Sequence, residues 1–144
     1  MREALLGVAV GKKGIGKTYT TLQIIGQYIK GGLNVKPRRA LIIDVNDEFE
    51  SVRAISPKDV KLFSHHPTIE CRRIRPYNED GSKMSLNDVA DCLWEVLKDF
   101  RGGLLLIEDV NKFIGDHLPK DLVGSICTNR HSNLDIILHF QSIG

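Results

Sequence analysis

The stretch that decides the fold is "GKKGIGKT", Gly11 to Thr18, which lies between "ALLGVAV" and "YTTLQIIGQYIK". The apolar run before it predicts a short buried strand over residues 5–10, and the periodic segment after it predicts a helix over residues 17–30. A glycine-rich turn at such a junction lets successive backbone N–H groups point inward around a phosphate chain, because Cβ atoms would obstruct them. The stretch therefore predicts a phosphate-binding loop.

The spelling Gly11-x4-Gly16-Lys17-Thr18 matches the Walker A pattern in full. In such a loop the lysine reaches the β and γ phosphates, the hydroxyl ligates Mg²⁺, and the helix adds its positive dipole end. The pattern predicts a site for Mg-ATP. The predicted ATP-binding residues are Gly11, Lys12, Lys13, Gly14, Ile15, Gly16, Lys17, Thr18 and Tyr19.

Two further segments predict the rest of a phosphate site. The apolar run "LLLIED" ends in Glu108 and Asp109, where one carboxylate would hold Mg²⁺ and the other would orient the attacking water. The terminal strand "DIILHFQ" places Gln141 at the carboxyl edge of the sheet, where open α/β sheets bind ligands. Thr18, Glu108 and Asp109 are the predicted metal ligands, and the role of each carboxylate stays open.

The remaining segments alternate between strand and helix patterns. Strands are predicted at 40–45 and 134–140, with a candidate strand in "TIECRRIRP"; helices are predicted at 86–100 and 120–129, with a short one in "SPKDVKLFS". In the first of these helices, Leu93, Trp94 and Leu97 belong to one apolar stripe. Parallel strands need crossover connections, so the alternation predicts an α/β fold of three layers, with a mostly parallel central sheet flanked by helices.

Size and composition set broad limits on the class of protein. The 144 residues fit one domain, 1–144, and the net charge of +2 does not by itself indicate a nucleic-acid binder. The three cysteines have no metal-ligand spacing and are predicted to be free thiols. Neither an apolar run of about 20 residues nor a secretion signal is found, which predicts a cytoplasmic protein without a membrane segment.

Together these residues resemble the additional-strand class of P-loop ATPases, and within it the HerA–FtsK superfamily of DNA and protein pumps. The phrases "LIIDVNDEFE" and "NRHSNLDIILHFQ" are similar to the acidic phrase and to the arginine-to-glutamine segment of that superfamily. The resemblance implies a homo-oligomeric ring that moves double-stranded DNA. It also implies that Arg130 acts as an arginine finger on a neighbour's nucleotide; a surface arginine that closes a helix is the alternative.

The resemblance departs from the family pattern in two places. The usual order of the second motif is Asp then Glu, whereas here Glu108 precedes Asp109. The sequence also ends three residues after Gln141, which fits either the core of a longer protein or a minimal viral form.

Several functions stay open at the level of sequence. Viral genome packaging is the preferred interpretation, with the basic clusters "KPRR" and "CRRIR" as either DNA contacts or solvated surface. A nucleotide-switched positioning protein similar to the ParA–MinD group is an alternative, because Lys12 stands where that group carries an extra lysine. A phage assembly ATPase similar to zonula occludens toxin and a small-molecule kinase are the others.

Overall fold

Strands and helices alternate along the part of the chain that a computed structural model describes, which is residues 6–11, 15–109, 124 and 133–141. The elements are β1 (Leu6–Gly11), α1 (Ile15–Lys30), β2 (Ala40–Ile43), α2 (Val60–His65), β3 (Cys71–Ile74), α3 (Leu86–Asp99), β4 (Leu104–Ile107) and β5 (Asp135–Gln141). A 3₁₀ turn at Pro57–Asp59 leads into α2. The predicted α/β class is confirmed.

The five described strands form one sheet in the order β1-β5-β4-β2-β3, and every pair of neighbours is parallel. The last of the described strands, β5, therefore lies between β1 and β4. This insertion brings the ends of three distant segments together at one edge of the sheet. The predicted parallel sheet is confirmed, and its strand order is new information from the structure.

One face of the sheet packs against α2 and α3. Helix α3 begins with a capping box, in which the Ser85 hydroxyl accepts from the Asp88 N–H at 3.1 Å and the Asp88 carboxylate accepts from the Ser85 N–H at 2.9 Å. Such a box satisfies N–H groups that the first turn leaves without helical partners. The buried residues of the helix are Val89, Ala90, Cys92, Leu93, Val96 and Leu97. Trp94, predicted to share the apolar stripe, is 39% exposed and lies at its margin.

The opposite face packs against α1. Ile25 is buried there, and Leu22 and Ile29 are partly buried against the same cluster, as their helical spacing predicted. The strand residues of this cluster include Ile42, Leu104, Leu106 and Ile137. We call this side of the sheet the α1 face.

Element boundaries differ from the predicted ones by one or two residues at the phosphate loop and after β2. Helix α1 begins at Ile15 and not at Lys17, so the glycine-lysine signal lies inside its first turn. Strand β2 ends at Ile43 because the Asp44 carboxylate turns the chain by accepting from the N–H groups of Glu48 and Phe49 at 2.9 and 3.0 Å. The predicted helix at 120–129 lies outside the described residues, apart from the single helical residue Gly124.

Two of the three cysteines, Cys71 and Cys92, lie in the described part of the chain, and both are free thiols, as predicted. Burial raises the pKa of each thiol to about 12, so neither is a reactive thiolate at neutral pH. None of the helices in residues 15–109 is long and apolar enough to cross a membrane.

Candidate active site

The carboxyl ends of three neighbouring strands define the candidate site. Gly11, the last residue of β1, is in register with Gln141, the last residue of β5. On the other side of β5, Ile107 at the end of β4 is in register with Leu138. Gly11, the acidic pair after β4 and Gln141 therefore meet at one edge of the sheet, which is where ligands of open α/β sheets bind.

Helix α1 starts shortly after β1, so that Gly16, Lys17 and Thr18 lie in its first turn. No acidic residue stands in that turn, so its positive dipole end keeps its full attraction for an anion. Thr18 is half-buried and Tyr19 is 64% exposed. The start of α1 thus has the composition of an anion site.

Some of the predicted site residues lie outside the described part of the chain or are described by their backbone alone. Lys12, Lys13, Gly14 and Arg130 lie outside it. For Ile15, Lys17 and Gln141 the structure gives the backbone position. The roles predicted for these side chains stay predictions.

Glu108 follows β4 directly and is 1% exposed. Its N–H donates to the Ile43 carbonyl at 3.2 Å, which continues the pairing of β4 with β2 by one residue. Side chains alternate between the two faces of a strand, so Glu108 shares the α1 face with Leu104 and Leu106. Its Oε1 lies 2.9 Å from Nδ1 of His139, which is 6% exposed.

Asp109 lies in different surroundings although it is the next residue. Its φ of 51° is in the left-handed region, so the chain bends sharply away from the direction of β4. Asp109 is 2% exposed, and its Oδ2 accepts from the Asn46 side-chain amide at 3.0 Å. The bend therefore separates the two carboxylates: Glu108 faces β5 on the α1 face, and Asp109 faces the loop after β2.

Buried charges hold the loop after β2, which carries Asn46. Asp44, 1% exposed, accepts from the Arg73 guanidinium at 2.8 Å in addition to the two N–H groups described above. Asp47 accepts from both Arg75 and Arg73, and these hydrogen bonds lower the pKa of the Asp47 carboxyl to about 2. The Asp47 carboxyl is thus ionised at neutral pH, and its ion pairs with Arg73 and Arg75 hold the loop next to Asp109.

Two residues of this edge, His139 and Asn46, were not predicted from the sequence. His139 interrupts an otherwise apolar strand two residues before Gln141, and a polar residue at an inward position of a buried strand is a usable signal. Asn46 lies in the phrase "LIIDVNDEFE", but nothing in that phrase distinguishes it from its acidic neighbours.

The basic clusters considered as DNA contacts are engaged within the chain. Arg38 pairs with Asp135, Arg72 with Glu70, and Arg73 and Arg75 with aspartates of the β2 loop. Arg39 donates to the His66 carbonyl at 2.5 Å. Four arginines of "KPRR" and "CRRIR" are therefore paired with carboxylates of the chain, and contacts of these clusters with DNA stay a prediction.

The donor atoms at this edge fit a magnesium ion that arrives with a nucleotide. In the described ranges no group of three or more His, Cys, Asp or Glu side chains could hold a metal ion alone. Mg²⁺ in phosphate sites takes one or two protein oxygens and completes its shell with phosphate oxygens and water. A threonine hydroxyl and a buried carboxylate on the α1 face supply oxygen donors of that kind.

The strand order and the placement of these residues define the fold of the additional-strand P-loop NTPases: β5 is the strand inserted between the phosphate-loop strand and the strand that ends in the acidic pair. Neither the protein-family models nor the curated proteins searched gave a match to the chain.

Solved structures match the fold over nearly the whole chain. The genome packaging NTPase B204 from Sulfolobus turreted icosahedral virus 2, in complex with ATP-gammaS, matches with a TM-score of 0.63 and 17% identity, over 99% of this chain and 67% of that one. Its complex with AMPPCP matches with a TM-score of 0.58, 16% identity and the same coverage. B204 from Sulfolobus Turreted Icosahedral Virus, described as a DNA-packaging ATPase, matches with a TM-score of 0.53 and 13% identity, over 99% of this chain and 68% of that one. The chain thus spans about two thirds of the length of these proteins.

Proposed function

We propose that the chain is a single ATPase domain, residues 1–144, which hydrolyses Mg-ATP and couples hydrolysis to the movement of double-stranded DNA during viral genome packaging. The observation that carries the proposal is the insertion of β5 between β1 and β4, because it gathers Gly11, where the Walker A sequence starts, the acidic pair and Gln141 at one edge of the sheet. The proposed setting is the host cytoplasm.

In the proposed site the turn from Gly11 to the start of α1 holds the triphosphate. Backbone N–H groups and the helix N-terminus attract the phosphate oxygens, and the Lys17 ammonium neutralises charge on the β and γ phosphates. Tyr19 follows Thr18, and its side chain is exposed. It would contact a bound nucleotide from the solvent side.

The separate surroundings of the two carboxylates support different roles for them. Glu108 shares the α1 face with the helix that carries Thr18, so these two residues would hold Mg²⁺, which when bound neutralises the charge that develops on the phosphates. Asp109, turned toward Asn46, is the proposed group that orients and deprotonates the attacking water. Gln141 would contact the γ-phosphate from the end of β5.

The motor part of the proposal is supported by the fold and by the resemblance. Solved structures that share the fold include genome packaging NTPases, which favours packaging as the use of the proposed motor. In a homo-oligomeric ring, Arg130 would reach the nucleotide of the neighbouring subunit.

ATP turnover of the purified chain tests the nucleotide part. We expect Lys17→Ala, Glu108→Gln and Asp109→Asn each to lower turnover by about 100-fold or more, since each removes a charge that acts on the transferring phosphoryl group or the water. Lys30→Ala is the matched control, because Lys30 is an exposed lysine in the last turn of the same helix. Turnover that persists in Lys17→Ala would contradict the proposed site.

Stimulation by double-stranded DNA and the oligomeric state test the motor part. We expect DNA to stimulate turnover in the wild type, and Arg130→Ala to lower turnover without weakening binding of a non-hydrolysable ATP analogue. A dimer that forms around the analogue and is abolished by Lys12→Ala would instead support a nucleotide switch of the ParA–MinD kind. ATP turnover that does not change when DNA is added would contradict DNA translocation. It would not contradict the proposed nucleotide site.

A further inference from the structure

The contact between His139 and Glu108 joins the strand of the acidic pair to the inserted strand. Ile107 is in register with Leu138, and the next pair along the two strands is Glu108 and His139. Neighbouring side chains on the same face of two paired strands lie close enough to interact directly, and here Nδ1 and Oε1 are 2.9 Å apart. On its other side His139 is in register with Ala9 of β1. The imidazole therefore lies at the centre of the edge that carries the proposed site.

Burial makes this hydrogen bond a strong constraint on the carboxylate. Glu108 and His139 are 1% and 6% exposed, so bulk water competes little for either group. A carboxylate that binds a metal ion is ionised and only accepts hydrogen bonds, so in the proposed metal-bound site Nδ1 would be the donor. The bond fixes one carboxylate oxygen and thereby sets the direction in which the other oxygen faces.

We propose that His139 is a positioning residue, which orients the Glu108 carboxylate for binding the magnesium ion of Mg-ATP. The inference rests on the proposed function and adds to it a residue that neither motif contains. Groups that hydrogen-bond to a metal ligand commonly change metal affinity by about 10- to 100-fold when they are removed. We expect removal of the His139 imidazole to change metal affinity by the same factor.

Metal binding, and not turnover alone, is the measurement that tests this role. Mn²⁺ is titrated into the full chain in the presence of saturating AMPPCP, and free Mn²⁺ is followed by electron paramagnetic resonance. We expect His139→Leu to weaken Mn²⁺ binding by about 10- to 100-fold. Affinity for AMPPCP without metal is expected to stay unchanged, because the phosphates contact the turn and α1.

Two variants separate positioning from a general effect on the fold. His139→Asn keeps a nitrogen donor bonded to Cγ, as Nδ1 is, and is expected to restore most of the Mn²⁺ affinity. Leu138→Ala removes packing from the adjacent residue of β5, whose side chain packs on the opposite face, and is expected to leave Mn²⁺ affinity near the wild-type value. In a Glu108→Gln background, His139→Leu is expected to cause little further loss, because both changes remove one interaction.

Three results would contradict the role of His139, the proposed ATPase or both. Wild-type Mn²⁺ affinity in folded His139→Leu would overturn the role of His139 and leave the proposed ATPase standing. Equal losses in His139→Leu, His139→Asn and Leu138→Ala would also overturn it, because they would indicate a structural effect. A wild-type chain that binds no nucleotide would overturn both.

Discussion

Asp47 connects two arginines near the start of the loop after β2. Its carboxylate accepts from the Arg75 guanidinium at 2.9 and 3.1 Å and also from Arg73. The backbone of Asp47 has a φ of 53°. These hydrogen bonds place the loop that carries Asn46. Asp47 is thus a support for the candidate site without belonging to it.

The stability contributed by Asp47 depends on pH in a definite direction. The hydrogen bonds from Arg75 and then Arg73 lower the pKa of its carboxyl from 3.8 to about 2 in the folded chain. A lowered folded-state pKa means that the contribution is complete above the unfolded value and disappears as the pH falls toward 2. Asp47→Asn is therefore expected to lower the free energy of unfolding at pH 7 by about 1 kcal/mol, a value reduced for solvent screening of a partly exposed pair.

Denaturant unfolding between pH 7 and the acid limit of the folded state measures this effect. The difference between wild type and Asp47→Asn should narrow below about pH 4 and vanish near pH 2. Glu50→Gln, which removes an exposed carboxylate from the same segment, is the control and should show a difference of less than about 0.5 kcal/mol. A difference for Asp47→Asn that is constant across this range would contradict the assigned ion pairs.

The joint between α3 and β4 depends on two successive glycines with different functions. Gly102 has a φ of 65°, so it turns the chain in the left-handed region between the extended C-cap Phe100 and β4. Gly103 leaves no space for a side chain: a Cβ there would lie 2.6 Å from the Arg39 carbonyl and 2.6 Å from the Phe100 ring. The close approach lets β4 pair with β2 from its first residue, Leu104.

The same substitution should have opposite effects at this joint and on α1. Gly103→Ala is expected to lower the free energy of unfolding by at least about 2 kcal/mol, because backbone and a buried ring must shift. Gly26→Ala should raise it by about 0.5–1 kcal/mol, since Gly26 is exposed in the middle of α1 and a Cβ there meets nothing within 4 Å. Thermal and denaturant unfolding measure both; a stabilised Gly103→Ala would show that the joint is looser than the structure indicates.

The elements that carry strong local signals were predictable from the sequence. The Walker A spelling located β1 and α1, and the serine cap with its apolar stripe located α3. Strand β3 was harder to predict, because "CRRI" places Arg73 in the interior, where it is 7% exposed and paired with aspartates far along the chain. No local pattern distinguishes such an arginine from a solvated one.

The arrangement of the candidate site was predictable only in part. Glu108, Asp109 and Gln141 stand at the ends of apolar runs, a position that the sequence shows directly. The contacts Glu108–His139 and Asp109–Asn46 depend on strand order and register, which parallel strands with long crossovers do not encode locally. The left-handed conformation of Asp109, which gives the two acids separate surroundings, has no signature in the order of the residues.

The molecule separates its candidate site from a buried ion pair at the opposite edge of the sheet. Asp135, the first residue of β5, accepts from Arg38 at 2.9 Å and from the Tyr28 hydroxyl at 3.0 Å. Arg38 also donates to the carbonyls of Gly102 and Asn133. The pair joins the carboxyl end of α1 to β5 and to the joint before β4. It thus lies at the amino ends of the strands, whereas the candidate site lies at their carboxyl ends.

Breaking this pair should therefore reduce stability without changing nucleotide affinity. Asp135→Asn leaves the guanidinium, whose side chain is 10% exposed, without its counter-charge, and is expected to cost about 3–5 kcal/mol of the free energy of unfolding. Tyr28→Phe removes one hydrogen bond and is expected to cost about 1 kcal/mol. The double variant Arg38→Met/Asp135→Leu should recover most of the loss, because it removes both buried charges.

Denaturant unfolding gives these differences, and titration of each folded variant with AMPPCP should give the wild-type dissociation constant. A fall in nucleotide affinity that follows the fall in stability would contradict the separation, because it would mean that a change at the carboxyl end of α1 and the amino ends of β4 and β5 reaches the phosphate loop.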